Sequence, residues 1–198
     1  MKRYASLIII FLLALSANAQ STGAVKMLEN AASRLANAPS AKAEFTLPQN
    51  GGRKGSLDMS KEKFVIISPV VEAWYDGHTQ WTYLPGNDEV AITTPTTMEL
   101  MESNPFVIIA NFKTYYNYKA SGVNTVELTP KSKTSGISKV NVTMNPGTKW
   151  PSVIDVLLAS GDKLTVNITN INTSTASPSI TYRYDNRHKG AELIDLRD

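Results

Sequence analysis

V-E-A-W-Y-D-G-H-T-Q-W-T-Y-L-P-G-N-D-E-V-A-I-T-T-P, running from Val71 to Pro95, and T-T-M-E-L-M-E-S-N-P-F-V-I-I-A-N-F, from Thr96 to Phe112, decide how this chain folds. Asp76-Gly77 lies between two aromatic-rich runs, the composition of a tight hairpin turn, because both residues tolerate the positive φ such turns require. Pro85-Gly86-Asn87-Asp88 predicts a second hairpin. After Pro95 the alternation stops. Met98, Leu100, Met101, Phe106, Val107, Ile108, Ile109 and Phe112 form an apolar cluster interrupted by Pro105, which suits two short helices better than strands. A sheet, an oily helical insert and a second stretch of sheet together describe an apolar cavity with a movable cover.

Outward from that stretch, alternation dominates. Upstream it marks strands around Ala43-Phe45-Leu47, Leu57-Met59 and Phe64-Ile66; within the quoted stretch, around Ala73-Tyr75, Trp81-Tyr83 and Val90-Ile92. Downstream, strands are expected at Tyr115 to Ala120, Thr125 to Pro130, Ser138 to Met144, Ser152 to Ala159, Lys163 to Ile171 and Ser179 to Tyr184, with turns at Ser121-Gly122, Thr134-Ser135-Gly136, Pro146-Gly147 and Ser160-Gly161-Asp162. Ahead of them Ala24, Leu28, Ala31, Ala32 and Leu35 recur at helical spacing, so Gly23 to Asn37 predicts an amphipathic helix that ends near Pro39. The tail from Gly190 to Asp198 alternates at Leu193, Ile194 and Leu196 and is expected back along the sheet as an edge. The fold class is mainly β with helices: an open, unclosed antiparallel β-barrel of about 11 strands with a helical lid over an apolar cavity.

The first residues point to export. Lys2 and Arg3 precede an apolar run from Leu7 to Leu15, and Ala17-Asn18-Ala19 has the small-x-small form of a cleavage site, so residues 1–19 are expected to be a cleaved signal peptide. The run is shorter than the ~20 residues a spanning helix needs. Residues 20–198 then form one domain, soluble and periplasmic in a bacterium with two membranes. Without Lys2 and Arg3 the chain keeps 18 basic against 17 acidic side chains, with no basic cluster, so nucleic acid is not an expected partner. There is no cysteine to carry a lipid anchor or a disulfide.

Catalysis finds little footing. His78 falls in a predicted turn and His188 in the tail segment N-R-H-K, neither with a second ligand at metal spacing, and no G-x-S-x-G, H-E-x-x-H or P-loop pattern occurs. The expectation is a protein that is not an enzyme and carries no cofactor and no metal. Met59, Met98, Met101 and Met144 are flexible thioethers able to adapt to variable apolar ligands. With Phe45, Leu57, Phe64, Ile66, Trp81, Tyr83, Leu100, Phe106 and Ile108 they are the candidate lining of an acyl-chain cavity, against the plainer reading of ordinary core. Burying a chain of ~16 carbons yields on the order of 12 kcal/mol at roughly 0.8 per methylene. Release at a destination therefore calls for a loosely shielding cavity with a cover that opens.

F-T at Phe45-Thr46, D-G-H-T-Q-W-T-Y at Asp76 to Tyr83, N-P-F-V-I-I-A at Asn104 to Ala110, V-E-L-T-P-K at Val126 to Lys131 and A-E-L-I-D-L-R at Ala191 to Arg197 give the chain, in this order, a resemblance to the LolA family of periplasmic lipoprotein carriers. The resemblance implies an unclosed barrel whose mouth is covered by helices. It also implies acylated lipoproteins as cargo, an inner-membrane lipoprotein-releasing ABC transporter as donor, an outer-membrane acceptor and a monomeric carrier. An envelope lipid- or glycolipid-binding module, or a lipoprotein sensor on the same fold, is the alternative. Better-known members hold the lid with an arginine followed by proline; here the corresponding turn reads S-K-E-K-F, Ser60 to Phe64. Lys61 and Lys63 are the candidate latch donors in its place, without the planar fork of a guanidinium. Closure by packing alone is the competing expectation.

Overall fold

A computed structural model of the chain describes residues 23–173 and 180–197. The expected signal peptide and cleavage site lie outside the described residues. Helix α1 spans residues 23–37, as its spacing predicts, and buries Ala24, Leu28, Ala31 and Ala32. Twelve strands follow among the described residues: β1 (Ala41–Leu47), β2 (Arg53–Ser60), β3 (Lys63–Ile67), β4 (Glu72–Tyr75), β5 (Gln80–Leu84), β6 (Glu89–Thr93), β7 (Tyr116–Ala120), β8 (Thr125–Pro130), β9 (Ile137–Met144), β10 (Pro151–Leu158), β11 (Lys163–Asn172) and β12 (Glu192–Asp195). Two helices, α2 (Thr97–Ser103) and α3 (Pro105–Tyr115), separate β6 from β7. Pro105 opens α3 at its first position, where a missing N–H costs nothing.

All twelve strands make one sheet in the order β12-β6-β5-β4-β3-β2-β1-β11-β10-β9-β8-β7. Two meanders, β1 to β6 and β7 to β11, are joined at their centre by the antiparallel β1–β11 ladder, with a bulge between Glu44 and Phe45. Because β6 lies near one margin and β7 forms the other, the α2–α3 connection has to cross the concave face. The sheet is unclosed, its margins being β7 and β12.

Register assigns the faces. Val126, Val142, Ile154 and Val166 line up across β8 to β11, and Ala43, Leu57, Ile66 and Ala73 across β1 to β4. All eight belong to the main core, with Phe45, Phe64, Met144, α1 and the inner sides of α2 and α3. Helix α3 is apolar around most of its circumference, which marks a buried helix; Phe106, Ile108, Ile109 and Phe112 are at most 2% exposed.

Two expectations are corrected at the tail. Residues 180–184 are not a strand; with residues up to Ala191 they form a strap over the outer face of β4 and β5. Tyr184 packs edge-on to Trp74, His188 stacks on Tyr83 with ring centres 3.6 Å apart, and Arg183 lies over Trp81 while its Nε is 3.1 Å from Asp76. His188 Nε2 meets Glu72 Oε2 at 3.0 Å. The second correction concerns direction: the tail does return as an edge strand, but β12 pairs with β6 in parallel, Glu192 against Glu89 through Asp195 against Ile92.

Beside the bulge, the Phe45 ring lies across Gly55. A Cβ at that glycine would sit 2.4 Å from two ring carbons of a side chain only 6% exposed. Gly55→Ala is expected to lower stability by about 1–3 kcal/mol, the usual cost of overpacking; chemical denaturation of the two proteins measures it.

Candidate lipid-binding site

The thirteen candidate lining residues do not share one open chamber. Phe45, Leu57, Phe64, Ile66, Leu100, Met101, Phe106, Ile108 and Met144 pack as solid core, with Met59 and Met98 partly buried against it. The reason is α3, whose side chains occupy the concave face. Trp81 and Tyr83 point the other way: Gln80 and Thr82 take the inner positions of β5, and the two aromatics stand on the outer face beneath the strap.

Three crevices stay open around the helical cover. A cavity of about 450 Å³ is lined by Leu35 and Ala36 of α1, Met59, Lys61 and Glu62 at the β2–β3 turn, Tyr75, and Thr97, Leu100, Val107, Ala110 and Asn111 of α2 and α3. Its size is within the roughly 300–1,000 Å³ range of small-molecule sites. A second, of about 110 Å³ and almost wholly apolar, lies where α3 begins, against Phe45, Ile66 and Phe106. The third, about 250 Å³, is bounded by Met98, Met101, Tyr116 and Lys131. Of the candidate lining, Met59 and Leu100 reach the 450 Å³ cavity, Phe45, Ile66 and Phe106 the 110 Å³ one, and Met98 and Met101 the third. Leu57, Phe64, Ile108 and Met144 line none of these three.

Three residues of α3 outside the candidate lining, Val107, Ala110 and Asn111, face the 450 Å³ cavity together. Their i, i+3, i+4 spacing on one helical face was the available signal. Tyr75, opposite them, has its phenol pKa raised, by burial first and then by the Glu62 and Asp76 carboxylates. At the third crevice, burial pushes the Tyr116 phenol up to about 12, with a smaller push from Glu102.

The cover is fastened on one side. Glu102 Oε1 of α2 accepts a 2.7 Å hydrogen bond from the Gly136 amide in the β8–β9 loop. In the same loop, Lys131 Nζ donates to the Lys113 and Thr114 carbonyls at the end of α3, at 3.0 and 2.9 Å. These bonds satisfy carbonyls the helix leaves without partners and place a cation at the negative end of its dipole. On the opposite side, the Lys61 and Lys63 ammonium groups make no hydrogen bond or ion pair with a described residue. Lys61 sits in the turn with φ 54° and borders the 450 Å³ cavity instead. Lys113 also pairs with Glu29 of α1 at 2.9 Å, both partly exposed, a contact of the kind that contributes about 0–1 kcal/mol. Neither lysine proposed as a latch is one in this state; a lysine that does hold the cover, Lys131, ends the V-E-L-T-P-K segment.

The sequence profile described as outer membrane lipoprotein carrier protein LolA matches residues 15–159, nearly three-quarters of the chain. The chain belongs to the LolA family. No curated protein matches it. Among solved structures, an uncharacterized conserved protein from Thermus thermophilus is similar at 11% identity and TM-score 0.52, over 87% of this chain and 99% of that one. A LolA superfamily protein from Nitrosomonas europaea is similar at 13% identity and TM-score 0.39, over 78% and 94%. The Pseudomonas aeruginosa MucA/MucB complex gives 14% identity and TM-score 0.38, over 82% of this chain and 61% of the chain matched. At such identities the first likeness speaks for the fold alone, which is the unclosed, mainly β LolA-like architecture. The family profile stops before β11, so the strap and β12 of this LolA-family chain lie beyond it. Among the described residues no helix is long and apolar enough to cross a membrane, and no cluster of His, Asp and Glu could hold a metal.

Glu102→Ala should raise amide hydrogen exchange across Thr97–Ser103 by roughly fivefold, the effect of losing about 1 kcal/mol of hydrogen bonding. Gly136→Ala should do the same, because its Cβ would fall 2.8 Å from the Glu102 carboxylate, whereas Lys61→Ala should leave exchange unchanged. Acid should loosen α2 as well. Glu99 is held below its usual 4.5 chiefly by the Thr96 backbone N–H at 2.7 Å, then by the Thr96 hydroxyl, in a capping box. A depressed carboxyl stabilises fully above pH 4.5 and ceases to as pH falls through its lowered value; exchange in Glu99→Gln should lose that acid-side dependence.

Proposed function

We propose that this protein is a periplasmic carrier that shelters the acyl chains of lipoproteins beneath α2 and α3 and shuttles them from an inner-membrane ABC transporter to an outer-membrane acceptor. One observation carries the reading. A helical pair with an apolar inner side spans the concave face, is fastened by Glu102 and Lys131 along one side, and adjoins a 450 Å³ cavity along the other. Family membership supports the same reading.

Loading follows from the packing. Chains enter between α1 and the β2–β3 turn, and α2 and α3 lift away from β2 to β4 while the β8–β9 loop holds the far side. Core contacts between α3 and the sheet are exchanged for contacts with the chains, so the net gain per methylene is far below the full transfer value of roughly 0.8 kcal/mol. That near-balance permits unloading. The single domain from Gln20 acts as a monomer, without cofactor or catalysis, and Met59, Leu100, Val107 and Ala110 are the residues a chain meets first.

Native mass spectrometry of the protein purified from its own periplasm, with lipid extraction of any bound mass, tests this. Co-purifying acylated lipoprotein is the expected result. Free glycolipid or fatty acid would replace lipoprotein by another lipid cargo, and an empty protein that also ignores added lipopeptide would overturn the carrier reading.

A further inference from the structure

Asn104 stands at the elbow between α2 and α3 and is fully buried. Its backbone is used on both sides: its N–H donates to the Leu100 carbonyl at 2.9 Å, and its carbonyl accepts from the Val107 N–H at 3.0 Å. The side chain caps α3, Oδ1 accepting from the Phe106 N–H at 2.9 Å. That contact fixes which end of the amide is oxygen, since only an acceptor can face an N–H. The other end, Nδ2, is buried with no hydrogen-bond partner among the described residues. A buried idle donor forfeits its hydration without return, so such groups are rare and call for an explanation.

The surroundings indicate what the donor awaits. The residues on either side of Asn104, namely Ser103, Pro105 and Phe106, line the 110 Å³ apolar cavity at the start of α3. The polar side chains of that cavity are already engaged. Ser68 Oγ donates to the Val71 carbonyl at 2.9 Å, and Ser103 Oγ to the Leu100 carbonyl at 3.1 Å. On its other flank the elbow borders the 450 Å³ cavity through Leu100 and Val107. A chain that lifts the elbow and joins the two cavities therefore passes one unengaged donor amid hydrocarbon. The complementary group on an acyl lipid is a carbonyl oxygen, the only strong acceptor next to its methylenes.

We propose that the Asn104 side-chain amide is the polar recognition element for cargo, donating from Nδ2 to the ester or amide carbonyl of an acyl chain when the elbow rises. This rests on the carrier reading and gives it selectivity: acyl chains over plain alkyl chains. An alkyl ligand would leave Nδ2 unpaired in the loaded state as in the empty one.

The test is titration calorimetry of the chain from Gln20 with a diacyl lipopeptide and with its dialkyl ether analogue, identical apart from the two carbonyls. The wild type should bind the acyl form about threefold to tenfold more tightly, the net effect of one hydrogen bond. Asn104→Asp and Asn104→Ser, which keep an oxygen to cap α3, should bind the ether analogue as the wild type does and lose the preference. Infrared spectra of the bound lipopeptide should show a carbonyl band moved to lower wavenumber in the wild type only. Equal affinities in the wild type, or an unchanged preference in both variants, would overturn the proposal while leaving the carrier reading intact. Failure of the wild type to bind either lipopeptide would overturn the carrier reading itself.

Discussion

A helix that is apolar on nearly every side has one stable position in a protein of this size, inside a curved sheet. Helix α3 is that helix, and the architecture answers to it. The sheet must be wide enough to wrap around Phe106, Ile108, Ile109 and Phe112, which two meanders joined side by side achieve and six strands alone would not. The same burial makes the interior a packed core, in which Phe106, Ile108, Ile109 and Phe112 fill the space that the curved sheet encloses.

Much of this was legible from alternation and turn chemistry. The helix over residues 23–37, the division at Pro105 and eleven of the strand positions follow from period and punctuation, which act locally. Local rules were silent on which face of β5 is wet. Trp81 and Tyr83 belong inside by hydrophobicity, yet Gln80 and Thr82 are there, because a strap from the far end of the chain supplies Tyr184, His188 and Arg183 to cover the aromatics outside. A sheet with cover on both faces breaks the rule that apolar means inward. The lysines misled for a related reason. Lys61 and Lys63 occupy the turn where family resemblance looked for a latch, but the groups that need fastening are the bare carbonyls at the end of α3, and these face Lys131.

The polar and apolar parts of the cover divide the work. Glu102, Gly136 and Lys131 provide directional contacts that fix where the cover sits, since a hydrogen bond does not survive a displacement of about an ångström. Leu100, Val107 and the floor residue Met59 provide contacts without direction, which tolerate small displacements. The elbow at Asn104 lies where the two regimes meet, with one end of its amide committed to capping α3 and the other uncommitted.

The β1–β11 ladder gives the chain a history as well as a shape. Glu44 and Thr169, hydrogen-bonded across it, are 125 positions apart, and closing so large a loop carries an entropic cost before any contact repays it. During synthesis, β1 has no partner on that side until nearly the whole polypeptide has emerged. The first meander must meanwhile keep an unpaired central edge and a bare apolar face in water, the two features most prone to self-association. The chain therefore spends its own folding with its interior uncovered. The step that ends this exposure is the arrival of its last long strand.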